Sequence, residues 1–155
     1  MSIVVSYNSV GQSAATCPGR ADAEKILGES ATLASTSSEI RDLVPRTGCT
    51  WTANQPDVAK NVTGHLYFLS ETYATEADAH KVFQSFYTQN MNNAGIEKMK
   101  DASDEGFMHT DGQNFQLVII RKGNKLIRLK VNKITSHTAP LSSLQSLGKK
   151  IASGL

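Results

Sequence analysis

Long apolar runs and cysteine are scarce in this sequence of 155 residues, and each shortage argues against a class of protein. No apolar run approaches the roughly 20 residues that a membrane helix needs, so no segment is predicted to span a bilayer. Only two cysteines are present, and neither has a cysteine or histidine at zinc-binding spacing, which argues against a structural zinc site. Charged residues make up only 19% of the chain and hydrophobic residues 39%. This composition is apolar enough for a folded core and argues against a disordered chain.

Sequence motifs for catalysis and cofactor binding are also missing. The chain has no Gly-x-Ser-x-Gly nucleophile motif, no glycine-rich phosphate loop and no dinucleotide-binding fingerprint. No two of its four histidines lie three or four residues apart, and its one acidic cluster lacks the ligand pattern of a calcium loop. We therefore predict a protein that is not an enzyme and that needs neither a metal nor another cofactor. The four histidines are His65, His80, His109 and His137, and the acidic cluster consists of Asp101, Asp104 and Glu105.

The two cysteines, Cys17 and Cys49, each lie in a turn-like segment. A disulfide between them would close a loop of about 33 residues and stabilise the fold by roughly 3–4 kcal/mol through chain entropy. We predict this disulfide, which implies an oxidising, extracytoplasmic location, either periplasmic or secreted. Two free buried thiols are the alternative interpretation. A lipid anchor on Cys17 is a third, although Ala14-Ala15-Thr16 is a poor lipobox.

The first sixteen residues, 1–16, are interpreted as a flexible N-terminal segment. They contain no Lys or Arg, and their apolar stretch is only Ile3-Val4-Val5, which is too short for a complete export signal. The small residues Ser13-Ala14-Ala15 are nevertheless typical of a cleavage region. The segment is thus either a remnant of an export signal or a disordered cytosolic tail. Residues 17–155 are predicted to form a single α+β domain.

Hydrophobic periodicity predicts an α+β fold, with an antiparallel sheet of about five strands packed by two to three helices. The predicted order is α-β-β-α-β-β-β-α, and the sequential hairpins favour antiparallel pairing. The helices are expected from Gly19 to Gly28, from a Thr75 cap to Gly95, and from Pro140 onward. The predicted strands are 47–53, 64–73, 106–111, 115–121 and 125–133, whereas 29–38 and 96–102 are expected to be loops.

The middle helix leads to a specific core prediction. Phe83 and Phe86 lie on its apolar stripe and are expected to pack against the sheet. Their contacts should come from the apolar residues that alternate along the last two strands, namely Leu117, Ile119, Leu129 or Val131.

Charge is distributed unevenly along the chain, although its net value is only +2. None of the 14 acidic residues follows Gly112, whereas eight of the 16 basic residues do. We predict that the last hairpin carries one basic patch that binds an anionic protein or envelope component. The alternative is that acids of the first half neutralise the hairpin, or that its lysines protect a sheet edge. Nucleic acid is an unlikely partner, because no aromatic residues alternate with these cations on one face. The predicted binding residues are Arg121, Lys122, Lys125, Arg128 and Lys130.

Several segments together resemble a known type of domain. They are Cys17-Pro18, Ala23-Glu24-Lys25-Ile26-Leu27-Gly28, Gly48-Cys49-Thr50-Trp51, the helix 79–87 and the hairpin Arg121-Lys122-Gly123-Asn124. They resemble small cysteine-paired domains of bacterial extracytoplasmic proteins and lipoproteins, similar in outline to the PsbP-like α/β/α group. The resemblance implies a fold, a disulfide and an extracytoplasmic compartment, and it transfers no catalytic residues.

Two functions are compatible with these observations. The first is a non-enzymatic exported binding or accessory domain that presents a sheet face and loops to a protein or envelope partner. The second is a module that binds a small ligand in a pocket between the sheet and the helices. Aromatic residues would line that pocket, although core packing explains the same residues: Trp51, Tyr67, Tyr73, Phe83 and Phe86.

Overall fold

A computed structural model describes residues 16–155 of the chain, which form three helices and seven strands. The predicted N-terminal segment, with its cleavage region, lies outside the described residues except for Thr16. No helix between residues 16 and 155 is both long and apolar enough to cross a membrane. In chain order, the elements are α1 (Arg20–Leu27), β1 (Ala31–Arg41), β2 (Val44–Ala53), β3 (His65–Thr72), α2 (Glu76–Asn90), β4 (Ile96–Lys98), β5 (Glu105–Thr110), β6 (Phe115–Lys122), β7 (Lys125–Asn132) and α3 (Leu141–Ser153).

All the described strands belong to one antiparallel sheet in the order β1-β2-β3-β7-β6-β5-β4. This confirms the predicted α+β class. The sheet consists of two meanders, β1 to β3 and β4 to β7. They join where β3 pairs with β7 along its whole length, from His65 opposite Asn132 to Thr72 opposite Lys125. The chain between the two meanders carries α2.

Local sequence accounts for the ends of the first two helices. Gly28 ends α1 with left-handed backbone at φ 74°, where a side chain would collide with the carbonyl oxygen of His137. Thr75 begins α2, because its hydroxyl accepts a hydrogen bond from the backbone N–H of Asp78 at 3.0 Å. The same helix ends at Asn90, before the predicted stop at Gly95.

The helices cover the two faces of the sheet unequally. On the α1/α3 face, alternate residues of β2, β3, β6 and β7 pack with α1 and α3 into the larger core. On the opposite face, the α2 face, Phe83 packs with Phe107, Ile119 and Leu126 in a smaller cluster. The α2 face is therefore covered only where α2 lies. The sheet residues of the larger core include Cys49, Trp51, Leu66, Phe68, Val118, Ile120, Ile127, Leu129 and Val131.

The predicted number and order of strands were wrong. Within residues 16–155 the sheet has seven strands, not about five, and the order is α-β-β-β-α-β-β-β-β-α. The additional strands are β1, which occupies the predicted loop 29–38, and β4, which occupies the start of the connector 96–102. Neither strand has a core-facing side that would produce an apolar–polar alternation in its sequence. After Ala31, β1 is exposed on both faces, and β4 has only three residues. Both are held by backbone pairing, which hydrophobic periodicity does not record.

The core prediction was correct for β6 and wrong for β7. Phe83 and Phe86 pack in the cluster that contains Ile119 and Leu117, whereas Leu129 and Val131 lie on the α1/α3 face. The pairing of β6 with β7 sets Ile119 opposite Arg128, and opposite residues share a face. Alternation therefore identifies the residues of one strand that share a face, but only the register matches those faces between strands.

Cys17 and Cys49 form the predicted disulfide, with their Cα atoms 6.0 Å apart. The bond ties the segment before α1 to β2. Trp51 strengthens this attachment, because its indole Nε1 donates a hydrogen bond to the carbonyl oxygen of Pro18 at 2.9 Å. Since Cys49 and Trp51 are both buried, these links place α1 over the larger core.

Replacing both cysteines, by Cys17→Ser with Cys49→Ser, is expected to lower the free energy of unfolding by about 3–4 kcal/mol, because the unfolded chain gains entropy. Urea unfolding measures the loss. A reductant should destabilise the wild type by a similar amount and leave the double variant unchanged. Two alkylatable thiols in protein purified from its native compartment would contradict the disulfide.

Removing one aromatic ring beneath α2 tests the smaller core. Phe83→Ala is expected to cost about 3–5 kcal/mol in the free energy of unfolding, because it leaves a cavity beside Phe107 and Ile119. Phe86→Ala is the matched control and should cost less, since Phe86 is only half-buried. A loss below about 1 kcal/mol for Phe83→Ala would show that α2 packs differently.

Candidate functional site

A shallow groove remains on the part of the α2 face that α2 does not cover. It has a volume of about 200 Å³ and is lined by Tyr67 and Leu69 of β3, Leu117 of β6, and Arg128 and Lys130 of β7. We call these five residues the open face. Apolar side chains thus lie beside two cations on three neighbouring strands.

Strand register assembles the open face. Across the β3–β7 pair, Tyr67 lies opposite Lys130 and Leu69 lies opposite Arg128. Across the β6–β7 pair, Leu117 also lies opposite Lys130. Because directly opposite residues in an antiparallel pair share a face, all five side chains belong to the same surface. That surface is formed by central strands, so its positions are fixed by backbone pairing on both sides.

Aromatic rings contact both cations of the open face. The guanidinium carbon of Arg128 lies 5.0 Å from the ring centroid of Phe86 on α2, and Lys130 Nζ lies 5.7 Å from that of Phe115. The prediction that no aromatic residues accompany these cations was therefore wrong. The rings come from α2 and from the neighbouring strand, so the alternation of residues within one strand does not reveal them.

A buried carboxylate lies at one end of the open face. Glu71 is 1% exposed and accepts hydrogen bonds from Arg128 Nη2 at 2.6 Å and from the Tyr73 hydroxyl at 3.1 Å. Arg46 Nη2 lies 3.0 Å from the second carboxylate oxygen. Two guanidinium groups therefore share one carboxylate, so this cluster keeps one positive charge.

Tyr73 is held in its donor form. Burial is the main cause that raises the pKa of Tyr73 to about 12, and the negative charge of Glu71 is the second. The hydroxyl therefore stays protonated at physiological pH and continues to donate to Glu71. Glu71 is satisfied on both oxygens, which is what a buried carboxylate requires.

Arg121, one of the five predicted binding residues, is engaged by two acids at the start of the neighbouring strand β5. Its Nε donates to Glu105 at 2.5 Å, and its Nη1 lies 3.3 Å from Asp104. His80 of α2 also contacts Glu105, at 2.7 Å. Burial opposes ionisation of Glu105, but the hydrogen bonds from Arg121 and His80 outweigh it and hold the pKa of that carboxyl below its ordinary value. Arg121 therefore links β5 and β6 near α2.

The remaining two predicted residues lie on the α1/α3 face. Lys122 Nζ donates to the carbonyl oxygens of Ala152 and Leu155, at 3.2 and 2.8 Å, where the end of α3 is electronegative. Lys125 is buried, and burial lowers its pKa. The expectation of one five-residue patch was therefore wrong, because strand alternation sends these cations to opposite faces of the sheet.

Sequence reasoning overlooked Glu71 and Arg46. A signal for Glu71 was present, because it follows Leu69 by two residues and must share the face of Tyr67 and Leu69. A carboxylate inside a predicted strand requires a partner. Arg46 had no such signal, since it reaches Glu71 only through the β2–β3 register, which sets the two residues opposite each other.

Two other concavities lie outside the open face. One of about 280 Å³ lies between α1 and α3, where Lys150 pairs with Asp22 at 3.1 Å. Another of about 260 Å³ lies around Gly28, Asn54 and His137. Within the part of the chain that the structure describes, no three metal-ligating side chains come together. Of these three concavities, the open face is the one lined by apolar side chains and cations without an acidic side chain.

Comparisons of the chain with models of protein families, with curated proteins and with solved structures found no match. The resemblance to PsbP-like extracytoplasmic domains therefore stays a prediction.

Charge reversals at Arg128 and Lys130 are expected to differ in stability. Arg128→Glu would place a second carboxylate beside buried Glu71 and should cost on the order of 3 kcal/mol. Lys130→Glu should change the free energy of unfolding by less than about 0.5 kcal/mol, because Lys130 is exposed. Urea unfolding of the two single variants makes the comparison. Equal losses would contradict the role assigned to Glu71.

Proposed function

We propose that this protein is a non-enzymatic, exported binding module that docks an acidic protein segment on its open face. The observation that carries the proposal is an uncovered sheet surface whose apolar floor lies beside two cations. The floor would accept apolar side chains of the partner, and the cations would pair with its carboxylates. Affinity would come mainly from apolar burial, and orientation from charge.

The shape of the groove favours a protein segment over a small molecule. Pockets for small ligands commonly enclose about 300–1,000 Å³ and bury most of the ligand. The groove on the open face holds about 200 Å³ and is bounded mainly by strands below it. A small amphipathic anion in the same groove is the second candidate, because the groove also combines an apolar floor with a cation.

The charge of the site favours an anionic partner. Lys130 is exposed, and the cluster around Glu71 keeps one positive charge from Arg46 and Arg128. Nucleic acid has less support, because bases stack on open aromatic faces, whereas Phe86 and Phe115 already have cations over their rings. Tyr67 is the ring of the open face that stays accessible, at 38% exposure.

Export is the second part of the proposal. A disulfide persists in oxidising compartments and is rare in the cytosol, so the Cys17–Cys49 bond supports a periplasmic or secreted location. The resemblance to cysteine-paired extracytoplasmic domains points in the same direction. Expression in an oxidising and in a reducing compartment, followed by thiol counting, would test whether the bond forms where we place the protein.

Peptide binding tests the docking surface. Short fluorescent peptides that alternate Glu with Leu or Phe should bind the wild type, and Lys130→Glu should weaken binding by at least about tenfold. Lys25→Glu is the matched control, because Lys25 is exposed on α1, on the other side of the sheet. Fluorescence anisotropy at about 50 and 300 mM salt should show weaker binding at the higher concentration, since exposed charges are screened.

Three results would overturn the proposal. Equal peptide affinity in the wild type and Lys130→Glu would remove the open face from the function. Binding to a single-stranded oligonucleotide but to no acidic peptide would identify a nucleic-acid protein. Binding to a fatty-acid anion but to no peptide would favour the small-ligand alternative. Tyr67→Ser tests the apolar contact separately from the charge of Lys130. It removes a ring but no charge, so it should weaken peptide binding without changing the salt dependence.

A further inference from the structure

The two edges of the sheet, as formed by residues 16–155, differ in length and protection. The β4 edge has only three residues and carries Glu97 and Lys98. The β1 edge has eleven residues with neither lysine nor proline. Short, charged edges prevent strand-to-strand association, whereas a long edge with few charges leaves a row of backbone groups for another strand to pair with. The charged residues of β1 are Glu39 and Arg41, near its end, and they pair with each other at 3.7 Å. The sheet is therefore protected at β4 and open at β1.

Part of β1 is protected by a bulge, and the rest is regular. The β1–β2 register shifts between Leu33 and Ser35, and beyond that point pairing continues without interruption to Arg41 opposite Val44. A bulge bends an edge and discourages further pairing. The segment Ser35–Arg41 has no such bulge, and every one of its side chains is exposed. It is thus a regular, accessible strand edge.

We propose that β1 pairs in antiparallel register with β1 of a second copy of this chain, which joins two sheets into one. The segment Ser35–Arg41 suits pairing with itself, because it consists largely of serine and threonine. A two-fold axis at Thr36, Ser37 or Ser38 sets neither Glu39 nor Arg41 opposite a like charge. Small polar side chains also let the two backbones approach without steric conflict.

An exposed apolar residue also supports a second copy of this chain as the partner of β1. Ile40 is 74% exposed, which is unusual for isoleucine in a strand. With the axis at Ser38, Ile40 lies opposite Thr36 of the second copy, and both residues are on the α1/α3 side of β1. Cross-strand pairs of β-branched residues stabilise sheets, so the dimer would cover a side chain that the monomer exposes.

The symmetry of such a dimer determines where its open faces lie. Two antiparallel edge strands related by a two-fold axis keep the same face of each sheet on the same side. The two open faces would therefore lie on one side of the joined sheet, and α1 and α3 of both copies on the other. A partner with two acidic segments would then bind more tightly through avidity. The dimer itself does not depend on the proposed peptide function.

Sedimentation of the full chain tests the proposal. The wild type is expected to sediment at about twice its chain mass of 16.8 kDa, with monomer appearing on dilution. Thr36→Lys with Ser38→Lys should sediment as a monomer, because it brings lysines together near each candidate axis. Thr88→Lys with Gln89→Lys is the matched control on the exposed surface of α2 and should stay dimeric. Urea unfolding should show that both double variants fold.

Cross-linking locates the contact. A cysteine introduced by Ser37→Cys should link two chains through a short bis-maleimide, whereas Glu97→Cys on the β4 edge should not. A monomeric wild type would overturn the proposal, as would a dimer that persists in Thr36→Lys with Ser38→Lys or that cross-links only from position 97. Peptide binding by a monomeric wild type would remove the dimer and leave the docking function intact.

Discussion

The pairing of β3 with β7 is the interaction on which the rest of this structure depends. It joins an N-terminal meander to a C-terminal one through eight opposite residue pairs. The strands lie far apart in sequence, so the chain must close a long connection before they can pair, and that closure costs entropy. Apolar burial on the α1/α3 face of these strands offsets the cost. The same register places Tyr67 and Leu69 beside Arg128 and Lys130, so the open face is a direct consequence of this pairing.

Charge complementarity follows from the same arrangement. The acidic first part and the basic last part of the chain are brought into contact, as Arg128 on Glu71 and Lys150 on Asp22 show. The internal alternative considered from the sequence therefore accounts for part of the charge asymmetry. It does not account for Lys130, which is exposed and contacts a ring. Lys130 is therefore a surface cation beside an apolar floor, and the proposed docking function uses this part of the charge asymmetry.

The helical elements and the central strands could be recognised from local patterns. The Thr75 cap and the apolar stripe of α2 depend on residues a few positions apart, so a single segment contains the whole signal. The strand β1 could not be recognised, because both of its faces are exposed and its side chains carry no periodic pattern. Its existence is a property of the backbone of β2, which supplies the partner groups.

The sequence by itself determined the α+β class and the places of the helices, because periodicity and capping are local quantities. It favoured a disulfide between Cys17 and Cys49 over free thiols, and the fold that brings the two residues together settled the choice. The sequence also identified the unequal distribution of charge. Only the tertiary structure decided which cations share a surface, since Arg128 and Lys130 face the groove while Lys122 and Lys125 face α1 and α3. The physical reason is register: a shift of one residue between paired strands would move every side chain to the other face, and periodicity within one strand carries no information about that shift.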